Sequence, residues 1–182
     1  MHRLTIGLAL VVAATPVAAQ DSVMRPDSAM RPDSGPTPAQ KRYVDGLRTA
    51  GRGVAQLKDG VERVLRTRTS ADTARQRQAG LRLGGLCGTA YGFLTRGRAQ
   101  MSATAYEDSV AVVARQLGIQ VDSISRYLPT CQKEAGKSGQ VVATTLVGRL
   151  RSYEAALQRY RVATGIVPPP AAPAVTTQSP KK

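Results

Sequence analysis

Apolar residues recur along the middle of the chain at helical spacing. In the first segment Tyr43, Leu47, Ala50, Val54, Leu57, Val61 and Val64 follow one another in alternating steps of four and three. A strand would alternate by two, so the pattern predicts an amphipathic helix of about seven turns. Arg48, Arg52, Asp59, Arg63 and Arg66 fall on its opposite side. A second stripe of Ala79, Leu83, Leu86, Ala90 and Phe93 predicts a helix over about 70–98. Thr104-x-x-Glu107 has the form of a capping box and is expected to open a third helix through Val110, Val113 and Leu117. Gly118 is expected to interrupt that helix, with a short helical turn over 121–128 before Pro129. The last helix is expected over about 139–164, with Val142, Leu146, Leu150, Tyr153, Leu157 and Tyr160 inward. Short connections between long helices favour antiparallel neighbours. The expected fold is all-α: an up-down antiparallel four-helix bundle whose third helix is kinked or split.

The flanks have a different grammar. Residues 1–19 place Arg3 before an uncharged apolar run that ends at Pro16 and the small residues Val17, Ala18 and Ala19. That order predicts a secretory signal peptide cut after Ala19, and therefore an exported protein, periplasmic or secreted. The apolar stretch is shorter than the roughly 20 residues a membrane span requires. Residues 20–38 form a low-complexity linker that repeats DSVMRP and then DSAMRP. A proline every six residues prevents a lasting helix or central strand. The bundle is assigned to 39–165, and the Pro- and Ala-rich stretch 166–182 reads as a disordered tail.

Charge changes the picture more than composition does. The chain carries 26 Lys and Arg against 12 Asp and Glu, a net charge of +14. Between positions 41 and 164 there are 21 basic and 9 acidic residues, so the excess belongs to the helical part. Arg63, Arg66, Arg68, Arg75 and Arg77 straddle the first helix–helix turn. In an up-down bundle the third-to-fourth connection lies at that same end, which adds Lys133, Lys137 and Arg126. Such a cluster attracts phosphates, sulfates or anionic headgroups. The chain is read as an exported, non-enzymatic binding or structural module of the cell envelope, whose partner is an anionic envelope component or a protein. The alternatives are a polyanion- or anionic-membrane-surface-binding protein acting through this basic end, and an enzyme with a carboxylate site that the spacing does not reveal. Nucleic acid is disfavoured, because export separates the chain from the genome and the six tyrosines mostly occupy core stripes.

Little else could carry chemistry. The single histidine is His2, inside the signal peptide, so the mature chain holds none. That excludes a Ser-His-Asp triad, a Cys-His pair, a His-bound metal and a c-type haem. Glu107 and Asp108 are adjacent and diverge around a helix, while Asp122, Glu134 and Glu154 are scattered. A carboxylate pair could assemble only through the tertiary fold, so no enzyme, cofactor or metal is expected. Cys87 and Cys131, an even pair in an exported chain, are expected to form a disulfide. Closing the loop between them, with a sequence separation of 44, contributes roughly 4 kcal/mol. Gly80, Gly84, Gly88 and Gly92 recur every four residues and are read as a helix-packing ridge, and Gly46, Gly53 and Gly60 recur every seven. The uncharged run 83–95 is only 13 residues long, so the ridge is expected inside a bundle and not in a membrane.

Overall fold

The computed structural model describes residues 35–166. The predicted signal peptide, the DSxMRP repeat and the predicted tail after residue 166 lie outside the described residues. Those residues are all-helical, with helix α1 at Pro38–Arg66, α2 at Thr73–Gln100, a 3-10 turn at Ala103–Ala105 and α3 at Asp108–Ala163. No strand occurs among them.

α1 starts on a capping box that the hydrophobic pattern did not mark. The Gln40 amide donates to Thr37 Oγ1 at 3.2 Å, and the Thr37 amide donates to Gln40 Oε1 at 2.9 Å. Pro38 takes the first helical position, where its missing N–H leaves no bond unmade. α2 starts at Asp72, whose carboxylate accepts from the Arg75 amide at 3.0 Å. The expected box at Thr104 and Glu107 does not form. Thr104 Oγ1 pairs with Ser102 Oγ instead, and α3 begins at Asp108 with no side-chain cap. The chain there turns through the 3-10 segment and through Asp108 at φ 50°. This brings the Tyr106 ring against Tyr43 and Tyr160.

Three helices are present where four separate ones were expected, because α3 runs through both anticipated breaks. Gly118 is buried, with the Arg98 guanidinium against it, so the missing side chain makes room for a neighbour and does not end the helix. Pro129 also lies inside α3. An interior proline costs about 3 kcal/mol, and the buried side chains that flank it, Ile124, Leu128 and Cys131, hold the helix together across it. The run breaks only at Ser138, at φ −134° and ψ 48°, next to the expected start of the last helix at about 139. There α3 folds back on itself. Arg149 Nη1 donates to the Ser123 carbonyl at 2.8 Å, whereas a straight helix would hold residues that far apart by about 39 Å.

The core is one cluster. Tyr43, Ala50, Val54, Leu57, Val61 and Val64 enter from α1, and Leu83, Cys87, Ala90 and Leu94 from α2. The α2 stripe is thus rotated from the expected one, since Leu86 and Phe93 are only half-buried. Ala114, Leu117, Val121, Ile124, Leu128, Cys131 and Ala135 continue the core on the first limb of α3. Val142, Leu146, Leu150, Tyr153 and Tyr160 do so on its second limb.

Candidate functional site

Cys87 and Cys131 lie within disulfide-bonding distance, with Cα atoms 6.1 Å apart, and join α2 to the first limb of α3. Small residues let these backbones meet. A Cβ placed on Gly80 would sit 2.2 Å from the Ala135 carbonyl oxygen, and one on Gly84 would sit 3.1 Å from that of Gln132. Gly88 faces only the far end of the Gln132 side chain. Gly92 faces no other helix, its nearest neighbour being Arg96 Nη2 at 3.9 Å, so the ridge is shorter than the spacing suggested. The reason is angular. Each step of four residues advances about 40° around a helix, so by Gly92 the row has turned about 120° from Gly80. Steps of seven drift only about 20°, and Gly46, Gly53 and Gly60 accordingly all face α2.

The close approach at Gly80 positions the end of the molecule where the α1–α2 turn meets the Ser138 break. Gln140 Nε2 donates to the Val64 carbonyl at 2.8 Å, and a Cβ on Gly139 would lie 3.1 Å from Gly80 Cα. Two clefts open beside this junction. One, of about 340 Å³, is lined by Val64, Thr73, Gln76, Arg77, Lys137, Ser138, Gln140 and Val141, among others. The second, of about 320 Å³, is lined by Arg63, Thr67, Arg75, Gln78 and Arg82 over an apolar floor that includes Leu83 and Leu86. No Asp or Glu lines either cleft.

The tertiary fold therefore sorts the predicted basic residues. Arg77 and Lys137 share the first cleft, and Arg63 and Arg75 share the second. Arg66, Arg68, Lys133 and Arg126 are outside both linings. Arg82 was missed, although its spacing of seven from Arg75 places both on one face of α2. Asp59 partly offsets Arg63, with Oδ2 2.7 Å from Arg63 Nη2.

In two other clefts a cation is paired with a carboxylate. A cleft of about 520 Å³ near Ser125 holds Arg98 and Asp122, paired at 3.0 Å. A groove of about 580 Å³ between α1 and the second limb of α3 is crossed by the Lys58–Glu154 pair. Asp122 and Glu154 are thus each tied to their own cation, and no group of three metal-ligating side chains occurs among the described residues. No described helix is long and apolar enough to cross a membrane.

Compared with protein-family models, curated proteins and solved structures, the chain matches none.

Proposed function

We propose that the chain is an exported, non-enzymatic binding module whose basic end docks on polyanionic material of the cell envelope. The observation that carries this reading is the pair of adjoining clefts rimmed by Arg77 and Lys137 and by Arg63, Arg75 and Arg82, with no carboxylate in either lining. Of these five cations only Arg63 is paired among the described residues, with Asp59. Such an excess in a concave surface focuses a positive potential that a polyanion relieves. The leader-like order of residues 1–19 and a cysteine pair at bonding distance favour an oxidising compartment outside the cytoplasm. In architecture we read the two limbs of α3 as separate rods, which with α1 and α2 make an up-down four-helix bundle. The contact between Ser123 and Arg149 supports that reading.

Binding to polygalacturonate at low and high salt tests the reading. Attraction by exposed cations is screened over a Debye length of about 8 Å at physiological ionic strength, so affinity should fall steeply as salt rises. Changing Arg75, Arg77 and Lys137 together to Gln should abolish most of the low-salt binding. It should leave the unfolding free energy within about 0.5 kcal/mol, as surface substitutions do. Arg96, Arg115 and Arg159, all outside both clefts, are the control set. Equal weakening by the control set would reduce the effect to net charge alone and sink the proposal.

A further inference from the structure

The basic end also exposes apolar side chains, and their position narrows the partner. Leu81 is 58% exposed and Val141 is 67% exposed. Val141 lines the first cleft beside Arg77 and Lys137. Leu81 rests over Gly136, where a Cβ would come within 2.6 Å of Leu81 Cδ2, so the glycine seats it at the α2–α3 seam. Arg77 precedes Leu81 by one helical turn, and Lys137 follows Gly136 directly. Cationic and apolar groups are thus interleaved on one end of the molecule.

We infer that this end docks on an anionic phospholipid bilayer, with Leu81 and Val141 entering the interface beneath headgroups held by Arg77, Lys137 and Arg75. The inference rests on the docking reading above and names its surface. A hydrated polysaccharide satisfies the cations but offers no apolar layer for Leu81 and Val141. A bilayer interface offers phosphate and hydrocarbon at adjoining depths. Each basic residue near such a surface strengthens binding about fivefold. The exposed area of one Leu or Val contributes about five- to thirtyfold when removed from water.

The chain has no tryptophan, so one introduced residue reports its own surroundings. Full-length mature protein carrying Val141→Trp is mixed with vesicles of phosphatidylcholine containing about one-third phosphatidylglycerol. Its emission should shift to the blue, and brominated acyl chains should quench it. Val112→Trp, at a 63% exposed position on the cleft with Ala156 and Arg159, should show neither effect. Leu81→Gln with Val141→Gln should weaken vesicle binding at least tenfold. Polygalacturonate binding by that variant should not change, and this also shows that it has folded. Undiminished vesicle binding by the double Gln variant, with unshifted emission from the Val141→Trp variant, would overturn lipid insertion and leave electrostatic docking standing. Binding to polygalacturonate but not to vesicles would make a polysaccharide the partner and likewise overturn it. Binding to neither at low salt would overturn both readings.

Discussion

The two ends of the molecule solve the same packing problem in opposite ways. At one, where α1 begins, α3 ends and the 3-10 turn crosses, three aromatic rings fill the space. Tyr43 stacks on Tyr160 at 5.4 Å and meets Tyr106 edge-on at 5.2 Å. Their hydroxyls are satisfied inside the protein: Tyr43 donates to the Ala114 carbonyl at 2.9 Å, and Tyr106 and Tyr160 bond to each other. At the other end no aromatic side chain lines the two clefts, and their rims are Arg and Lys. One end is closed by burying large amphipathic rings, the other left open and like-charged. Aromatic burial makes the first end a source of stability, whereas clustered cations make the second a surface that gains from a partner.

That contrast breaks most easily at the tyrosines. Tyr160 is 1% exposed, and Tyr160→Ala should destabilise by about 3–5 kcal/mol through lost burial and the cavity left behind. Tyr160→Phe removes only the hydroxyl bond to Tyr106 and should cost about 1 kcal/mol. Urea denaturation of the two variants separates ring from hydroxyl. Similar losses for both would mean that the rings do not close this end.

Glycine substitutions give the next largest effects and sharpen the comparison, since both ends depend on close backbone approach. A Cβ on Gly97 would lie 2.5 Å from the Gly46 carbonyl oxygen and 2.7 Å from the Ala50 amide nitrogen. Gly97→Ala, toward the tyrosine end, should therefore cost about 1–3 kcal/mol by overpacking, and Gly80→Ala, beside the clefts, should do the same. Gly85 meets nothing within 4 Å, so Gly85→Ala should stabilise by up to about 1 kcal/mol through helix propensity. Thermal melts that rank these three differently would contradict the helix contacts described above.

The smallest effect at neutral pH is titration of the tyrosine end. Burial raises the Tyr43 and Tyr160 phenols above their ordinary value of 10.0, helped for Tyr160 by its bond to Tyr106, and burial also raises Tyr153. A raised phenol favours the protonated folded state, so the contribution is complete below pH 10. It declines as pH rises from there toward the folded-state values. Stability measured against pH should be flat with respect to these groups up to about pH 9.5 and fall above it. Tyr160→Phe should make the alkaline decline shallower, and an unchanged slope would count against burial as the cause.

Much of this organisation was legible in the chain itself. The alternating steps of four and three from Tyr43 to Val64 identify α1 and its inward face, because a buried stripe on a helix must repeat with the helical period. Glycines spaced by seven mark the face that meets α2 for the same reason, and an even cysteine pair pointed to one pairing. The tertiary structure alone decided which local breakers act. Gly118 and Pro129 are local breakers, yet the side chains buried around them outweigh their propensities. The reversal at Ser138 falls where the spacing had already placed the start of the last helix, at about 139. The tertiary structure alone decided, too, that Arg82 joins Arg63 and Arg75 while Arg66, Arg68 and Lys133 stay outside the clefts. Spacing along one helix reports a residue's angle about its own axis. Which cations share a cleft depends on how separate helices are set against one another, and that is fixed by packing at Gly80, Ala135 and Gly139.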